Sequence, residues 1–348
     1  MNAKLRSLAT AVPEYTLKTE DVMREAVTIF AGRHADFERM MPVFANTGID
    51  CRYSVKPYAW FRGDQGWPER TEAFIAGASE LFRRAVTLAL AQAEVEAADV
   101  DTIVTVSSTG VATPSIEARV LHELGFRDDV RRVPVFGLGC AGGVSGLSLA
   151  ARLAEAMPGS IVLLAVIELC TLAFRPDEMT KSNIVATALF GDGAAACVVS
   201  TGGDSDSLGE IEYTGEHTWP GTIDVMGWRM DPQGFGAIFS RSIPMLAATE
   251  LRPAADAFLA RHGLSFEDID GYSFHPGGAK VILALEEAFS LQTGSLQQER
   301  EILAGYGNMS APTVLFVLER ALAERFSGRR FISSLGPGFT ASFITMLQ

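Results

Sequence analysis

The sequence predicts a layered α/β fold made of two comparable halves. Short apolar, β-branched segments alternate with helical patterns along the 348 residues. Strands that are apolar along their whole length are typical of a sheet covered by helices on both faces. A Gly/Ser/Asp-rich segment at 200–209 is the one loop-like interruption, and it divides the chain into predicted halves 1–205 and 206–348.

Each half contains strands and helices in alternation. In the first half we predict strands at 102–106, 133–136, 161–167 and 194–199, and helices at 116–124 and 142–156. In the second half we predict strands at 271–274, 331–334 and 341–346. The helices predicted there span 243–262, with a kink near Pro253, 279–289 and 312–325. This repetition suggests an internal duplication.

Composition excludes several classes of protein. Hydrophobic residues make up 48% and charged residues 20% of the chain, which is typical of a globular protein. The net charge of −13 argues against a nucleic-acid partner. The apolar run at 161–167 is too short to span a bilayer, and the N-terminal residues lack a signal-peptide pattern. We therefore expect a cytoplasmic protein without a transmembrane segment.

The four cysteines differ in their sequence context. None forms a C-x-x-C pair, so neither a metal site nor a disulfide framework is predicted. Cys140 alone stands between glycines, after a predicted strand and before an apolar helix. A thiol at a helix N-terminus is favoured as the thiolate. The alternative is that Cys140 is a small buried hydrophobic residue, which is a common role for an intracellular cysteine.

Two further residues occupy comparable turns in the second half. His275 follows a predicted strand and precedes Pro276, Gly277 and Gly278, a context that favours a proton-transfer role. Asn308 lies just before the helix predicted at 312–325. It could cap that helix or donate a hydrogen bond to a reacting carbonyl. Together, Cys140, His275 and Asn308 suggest one catalytic group.

Five segments combine glycines with the residues described above or with other turn residues. They are Gly139-Cys140-Ala141-Gly142-Gly143, Ala188-Leu189-Phe190-Gly191-Asp192-Gly193-Ala194-Ala195, His275-Pro276-Gly277-Gly278, Tyr306-Gly307-Asn308-Met309-Ser310 and Gly336-Pro337-Gly338-Phe339. Taken together and in this order, they resemble the type III polyketide synthases, the chalcone synthase superfamily. The resemblance extends from about residue 5 to the end of the sequence.

This resemblance implies a thiolase-like five-layer αβαβα fold, a homodimer and a catalytic triad of Cys140, His275 and Asn308. It also implies the reaction. An acyl group is loaded on Cys140 from an acyl-CoA, and malonyl-CoA is decarboxylated beside His275 and Asn308. The resulting enolate then extends the acyl chain. Coenzyme A thioesters are the expected substrates, and neither a cofactor nor a metal is expected.

The resemblance also implies a substrate pocket. Phe190 matches one of two aromatic residues at the entrance to the pocket of the family, whereas Ala237 matches the second and is small. Either the pocket is wide, or Ala237 makes room for a bulkier neighbour. Ala173 falls where a polar residue is common. Ser108, Thr113 and Gly227 are also assigned to the pocket.

Three further segments look closer to bacterial alkylpyrone and alkylresorcinol synthases. This likeness favours a long-chain fatty acyl-CoA starter. The segments are Ser107-Ser108-Thr109-Gly110, Glu168-Leu169-Cys170 and Thr180-Lys181-Ser182-Asn183.

For coenzyme A, the resemblance assigns Arg39, Gly277 and Ala311. Pro42 and Asn46 occupy positions where the family has basic residues, and Arg33 or Arg52 could supply a replacement.

Three alternatives remain open at this point. The initiating β-ketoacyl-ACP synthase of fatty-acid synthesis shares the fold and the triad, although its His and Asn turns normally read differently. A type III synthase could instead use an aromatic or a malonyl starter. A catalytically silent binding protein is disfavoured because the triad is complete.

Overall fold

A mixed sheet of nine strands forms the framework of the chain in a computed structural model. The structure describes residues 2–30, 37–63, 65–202, 207–324 and 326–348, while the side chains of residues 38 and 39 lie outside the description. The strand order in the sheet is β11-β12-β13-β8-β1-β7-β6-β4-β5, and two short hairpins, β9–β10 and β2–β3, lie outside it. The strands are β1 (Ala3–Ala11), β2 (Tyr15–Lys18), β3 (Cys51–Ser54), β4 (Thr102–Val106), β5 (Arg131–Val135), β6 (Ile161–Leu169), β7 (Asp192–Ser200), β8 (Gly209–Thr218), β9 (Met226–Asp231), β10 (Gly234–Phe239), β11 (Gly271–Phe274), β12 (Arg329–Gly336) and β13 (Thr340–Leu347).

The helices lie between these strands or connect them. They are α1 (Thr19–Phe30), α2 (Phe37–Met40), α3 (Pro42–Ala45), α4 (Tyr58–Phe61), α5 (Trp67–Gln92), α6 (Ile116–Val120), α7 (Gly142–Ala156), α8 (Lys181–Leu189), α9 (Ile243–Ala260), α10 (Ala279–Ala288), α11 (Gln297–Tyr306) and α12 (Thr313–Leu322). Single 3₁₀ turns occur at Ala97–Asp99, Gly139–Ala141, Cys170–Ala173 and Phe266–Asp268.

Three apolar clusters show how the helices cover the sheet. One cluster joins α5 to the outer face of β1, β4, β6 and β7. The second surrounds α7 and α12 and includes strand residues from both halves of the chain. The third joins α9 and α10 to β11, β12 and β13. The two halves of the sheet therefore lie on either side of α7 and α12, and α5 on one side and α9 with α10 on the other form the outer layers. This is a five-layer αβαβα fold, which confirms the predicted fold class.

The two halves repeat one pattern of strand pairing. In the first half, β4 pairs parallel with β6, which pairs antiparallel with β7, which pairs antiparallel with β1. In the second half, β11, β12, β13 and β8 follow the same sequence of pairings. The halves join through β1 and β8 over three residue pairs. The connection at 203–206, where the boundary between predicted halves falls, lies outside the described residues, so the division at 205/206 stays a prediction.

Most of the predicted elements are present, with shifted ends. The helix expected at 116–124 ends at Val120, and the chain continues in turns to Gly125, whose φ of +80° closes them. The helix expected at 243–262 runs from Ile243 to Ala260 as one element. It contains Pro253, which lies on the exposed side, and does not end there.

Candidate active site

Cys140 lies in a tight turn between β5 and the central helix α7. The turn Gly139–Ala141 is a 3₁₀ turn, and Gly139 has a φ of +47°. A Cβ at Gly139 would lie 2.5 Å from Cδ of Pro337, so both its conformation and its surroundings require glycine. The backbone N–H of Gly139 donates to Oγ of Ser108 at 2.9 Å. The position of the thiol is therefore set by close packing on both sides of the turn.

The first turn of α7 packs against the segment that follows Asn308. A Cβ at Gly143 would overlap the backbone carbonyl of Ala311, so the glycine is what permits this approach. Ala311 itself has no exposed surface. The contact with coenzyme A that the sequence suggested for Ala311 stays a prediction.

Burial governs the ionisation of Cys140. Desolvation raises the pKa of its thiol to about 12, and the negative charge of Glu168 acts in the same direction. A hydrogen bond between Sγ and Oγ of Ser310, at 3.4 Å, acts in the opposite direction. We expected the start of a helix to favour the thiolate. In the resting protein the loss of hydration outweighs that effect and favours the neutral thiol.

The backbone of His275 is hydrogen-bonded to the sheet, while its imidazole ring is available to a bound molecule. Its N–H donates to the carbonyl of Ser333 in β12 at 3.0 Å, which continues the pairing of β11 with β12. Within the described part of the chain, neither ring nitrogen has a hydrogen-bond partner. Burial lowers the pKa of His275 to about 4, so the ring is neutral near pH 7. A buried imidazole with both nitrogens unpaired can accept or donate a proton to a bound molecule.

Asn308 has a fixed amide orientation. Its Oδ1 accepts from the N–H of Ser310 at 2.8 Å, and its Nδ2 donates to the carbonyl of Gly277 at 3.0 Å. Because a backbone N–H can only donate and a carbonyl can only accept, these contacts fix which end of the amide carries the hydrogens. Pro312 occupies the N-cap position of α12, so Asn308 does not cap that helix. The second Nδ2 hydrogen can be donated to a bound molecule.

Contacts among the three turns bring them to one place. The Nδ2 bond links Asn308 to the turn after His275, and the bond between Cys140 and Ser310 links the thiol to the Asn308 turn. The end of β12 completes the group, because a Cβ at Gly336 would lie 2.6 Å from Cβ of Ala141. The structure therefore brings together the three residues that the sequence suggested.

The buried carboxyl group of Glu168 is linked to the Cys140 turn by hydrogen bonds. Glu168 accepts hydrogen bonds from the N–H of Ser108 at 2.9 Å and from Oγ1 of Thr109 at 2.7 Å. Burial raises the pKa of Glu168 to about 7 in spite of these bonds. Ser108, which the sequence assigned to the pocket, is buried and connects Glu168 to Gly139. From the sequence we assigned Glu168 no role of its own. A role could have been inferred from its position, because Glu168 is the one charged residue of an otherwise apolar strand.

The hairpin β9–β10 packs beside Phe190. Ala237 pairs with Trp228 across the hairpin. The Phe190 ring lies 5.7 Å from the Trp228 ring and 5.5 Å from the Phe239 ring, measured between centroids. Ala237 is buried in the same cluster. Aromatic side chains on both sides of Ala237 thus occupy part of the space that its small side chain leaves.

An apolar pocket with a volume of about 70 Å³ lies beside Phe190. Helix α1 contributes several apolar side chains to one wall, and the 3₁₀ turn that contains Ala173 contributes to another. Ala173 and Phe190 both line it, whereas Cys140, His275 and Asn308 do not. Phe190 lies between the pocket and the three turns, because its backbone pairs with that of Asn308. The other lining residues are Leu17, Val22, Glu25, Ala26, Ile29, Arg52, Tyr58, Phe61, Cys170, Thr171, Phe174, Ala186 and Thr187.

The remaining predicted site residues have varied surroundings. Thr113 is exposed and follows the end of β4, and Gly227 is half-buried in the β9–β10 hairpin. Gly277 is half-buried, and its carbonyl is bound by Asn308. The side chain of Arg39 lies outside the described residues, as does Arg33.

Arg52 is buried and cannot serve as a surface contact for the phosphates of coenzyme A. Its Nη1 donates to the carbonyls of Thr187 and Ala188, which places the guanidinium at the C-terminal end of α8. A positive charge is favoured at that end of a helix. Burial lowers the pKa of Arg52 to about 10.

Comparison with known proteins agrees with this geometry. The families described as "Chalcone and stilbene synthases, N-terminal domain" and "C-terminal domain" match residues 2–203 and 210–343. The chain is 35% identical to a 1,3,6,8-tetrahydroxynaphthalene synthase of Streptomyces peucetius subsp. caesius, over 97% of this chain and 91% of that protein. It is 28% identical to type III polyketide synthase 21 of Oryza sativa subsp. japonica, over 97% of this chain and 92% of that protein.

A solved structure shows the same fold. The 1,3,6,8-tetrahydroxynaphthalene synthase of Streptomyces coelicolor A3(2) superimposes with a TM-score of 0.93 at 27% identity, covering 99% of each chain. The five-layer fold and the similarity along both halves define a thiolase-like condensing enzyme. More specifically, the chain belongs to the chalcone and stilbene synthase family, the type III polyketide synthases, which are acyltransferases. In the described ranges, no helix has the length and apolar character needed to cross a membrane.

Proposed function

We propose that this type III polyketide synthase extends a long-chain fatty acyl-CoA with malonyl-CoA in an iterative reaction, giving alkylpyrone or alkylresorcinol products. The observation that carries the proposal is the apolar pocket beside Phe190 and Ala173. A fatty acyl chain needs a long apolar wall to leave water, and the side chains of α1 and of the Ala173 turn supply one. An aromatic starter would need much less of this surface.

In the first half-reaction, Cys140 attacks the thioester of the starter. Because burial favours a neutral thiol and a neutral imidazole, we infer that His275 acts as the general base and removes the thiol proton as the sulfur attacks. Free coenzyme A leaves after taking up a proton, and the acyl group remains on Sγ. The free ring nitrogens of His275 support this role.

In the second half-reaction, malonyl-CoA loses its carboxylate as carbon dioxide. The electron pair of the broken bond forms an enolate, whose oxygen accepts hydrogen bonds from His275 and from the free Nδ2 hydrogen of Asn308. The enolate carbon attacks the acyl carbonyl and Cys140 leaves as thiolate. The chain is now two carbons longer and can be reloaded. Arg39, Gly277 and Ala311 remain candidate contacts for coenzyme A, and no metal or other cofactor is needed for these steps.

We also propose a homodimer that works in the cytoplasm. Strand β5 forms one edge of the sheet, and Phe136, directly after it, is 48% exposed. Val111, which follows the neighbouring strand β4, is 53% exposed. Exposed apolar residues at a sheet edge favour association with a second copy. All four cysteines are free thiols, which agrees with a reducing compartment.

The dimer can be tested by sedimentation. The wild type is expected to sediment as a dimer, and the double variant Phe136→Lys, Val111→Lys as a monomer. A monomeric wild type at micromolar concentration would exclude this part of the proposal.

The reaction is tested by incubating the protein with malonyl-CoA and a series of acyl-CoAs of increasing length, together with aromatic acyl-CoAs. Products are identified by mass spectrometry. We expect long-chain starters to be extended without an acyl carrier protein. An absolute need for a carrier protein would indicate the β-ketoacyl-ACP synthase instead. Extension of aromatic or very short starters only would exclude the long-chain starter.

Variants of the three proposed catalytic residues separate the two half-reactions. Cys140→Ala should lose extension but keep decarboxylation of malonyl-CoA, because the enolate donors are intact. His275→Ala should lose both. If Cys140→Ala extended acyl groups normally, the assigned nucleophile would be wrong.

A second candidate uses malonyl units alone. It is favoured by the relatives named 1,3,6,8-tetrahydroxynaphthalene synthase, since that product name contains no alkyl chain. Malonyl-CoA supplied as the only substrate distinguishes the two, because the long-chain enzyme should give no aromatic product in that reaction.

A further inference from the structure

Strand β11, which ends next to His275, has one unpaired edge. Among the residues that the structure describes, it is the outermost strand of the sheet and its one strand partner is β12. Because the N–H of His275 points to β12, the N–H of the preceding Phe274 points away from the sheet. The backbone groups of a strand edge that has no neighbouring strand need other hydrogen-bond partners, most of all when the edge is buried. Phe274 has no exposed surface.

Charged side chains complete this edge where a tenth strand would lie. Oε1 of Glu299 accepts a hydrogen bond from the N–H of Phe274 at 3.0 Å. Nη1 of Arg330 donates to the carbonyl of Tyr272 at 2.9 Å. Glu299 is only 2% exposed, and burial raises the pKa of its carboxyl group to about 7 in spite of the nearby positive charges of Arg330 and Arg300. A carboxyl group is rarely buried to this extent unless it forms hydrogen bonds or ion pairs there.

The same side chain connects both enolate donors. Glu299 lies in the first turn of α11, and this helix ends at Tyr306. Gly307 follows with a φ of +69°, and the next residue is Asn308. The far end of α11 is also anchored, since the carbonyl of Ala304 accepts from the N–H of Asp50 at 2.8 Å. The helix that leads to Asn308 is therefore bonded through Glu299 to the residue before His275.

We propose that Glu299 is a positioning residue that holds the His275 strand and the Asn308 helix at a fixed separation. The inference rests on the proposed function, because it concerns the two donors that face the enolate oxygen. Two hydrogen bonds to one oxygen need both donors at the correct distance at once, and misplacement by about 1 Å can lower a rate about a hundredfold. Glu299 acts on the reaction only through His275 and Asn308.

The test replaces Glu299 by side chains of similar size. Glu299→Leu removes the acceptor, whereas Glu299→Gln keeps a carbonyl oxygen at the same reach. We expect Leu to lower kcat about tenfold or more with a smaller change in KM for malonyl-CoA. We expect Gln to restore kcat to within about twofold of the wild type. Rates are divided by the number of active sites, counted by stoichiometric alkylation of Cys140.

Glu301→Leu is the matched control. Glu301 lies two residues further along α11 and pairs with Arg320 near the surface. The same change there should leave kcat per active site unaltered. If Glu299→Leu lowered the melting temperature but kept the wild-type kcat per active site, Glu299 would be a structural cap only, and the proposal would be wrong.

A shorter acid covers the case in which the Leu variant does not fold. Glu299→Asp keeps the charge but withdraws the acceptor by about 1.5 Å, one carbon–carbon bond. We expect a kcat between those of the Gln variant and zero. An Asp variant with full kcat per active site would overturn the proposal.

A second readout separates this inference from the proposed function. The alkylation rate of Cys140 by iodoacetamide at pH 7 needs His275 as base but no CoA substrate. It should fall several-fold in Glu299→Leu and recover in Glu299→Gln. A wild type inactive on every CoA thioester would end the proposed function. Equal alkylation rates in wild type, Leu and Gln variants would end the positioning role.

Discussion

Filling the apolar pocket at Ala173 should shorten the range of starters that the enzyme accepts. Ala173 lines the pocket of about 70 Å³ and is 5% exposed. Each methylene that enters an apolar pocket contributes about 0.8 kcal/mol, or about fourfold in kcat/KM. In the wild type, kcat/KM should therefore rise about fourfold per added methylene until the pocket is full.

In Ala173→Leu, the three added carbon atoms remove room for about three methylenes. The longest starters should lose about 2.4 kcal/mol of binding, about sixtyfold in kcat/KM, while short starters that do not reach Ala173 keep their rate. The length of the preferred starter falls accordingly. The change fills empty space rather than a packed core, so the folded state should tolerate it.

The assay is competition among acyl-CoAs of graded length in one reaction, with product ratios read by mass spectrometry as ratios of kcat/KM. Ala91→Leu is the matched control, because Ala91 lies on the exposed face of α5. An equal loss at every chain length would show that Ala173 acts on folding or on chemistry, not on the acyl chain. A wild type without length dependence would refute the reasoning outright.

Three other changes probe the site and its support. Burial lowers the pKa of His275 to about 4 from an ordinary 6.5. The folded state therefore keeps its full stability above pH 6.5, where the ring is neutral in both states, and loses stability as the pH falls toward 4. Between pH 6.5 and 5 the wild type should lose about 2 kcal/mol more than His275→Gln in urea unfolding, and equal slopes would contradict this. Asp231→Asn should cost about 1–3 kcal/mol, because Arg175 donates to both carboxylate oxygens of Asp231 at 2.9 and 3.0 Å and is buried; unchanged unfolding would count against this anchor of the β9–β10 hairpin. Gly143→Ala should cost about 1–3 kcal/mol by overlap with a neighbouring backbone carbonyl, whereas Gly305→Ala, with open space around it, should stay within about 0.5 kcal/mol; equal effects in denaturation would contradict the packing argument.

The turns that form the site could be predicted from the sequence because their signals are local. Cys140 stands among glycines that the chain needs for a tight turn, and His275 precedes two glycines and a helix. The long helix α5 was not predicted, although its buried side chains recur at helical spacing from Ala73 to Leu90. The β9–β10 hairpin was also not predicted, since its strands are six residues long and contain only one β-branched residue, Ile238.

Other properties depend on tertiary structure and have no local signal. The raised pKa of Cys140 reflects how much protein surrounds the thiol, and a helix N-terminus alone predicted the opposite direction. The bond between Glu299 and Phe274 joins residues 25 positions apart. Arg52 resembles a surface residue in the sequence, yet it is 1% exposed and caps α8. Such long-range contacts follow only once the layers have been assembled.

The strand order has a consequence for how the chain is synthesised. Strand β1 is the fifth of the nine strands in the sheet, so it lies at the middle, although it precedes the other eight along the chain. Its partner β7 ends at Ser200, and β13, which separates β8 from β12, ends at Leu347. A nascent chain on the ribosome must therefore hold β1 without its neighbours until much of the protein has emerged. Until then the unpaired edges of β1 are open to pairing with other chains, so aggregation during synthesis is the expected hazard.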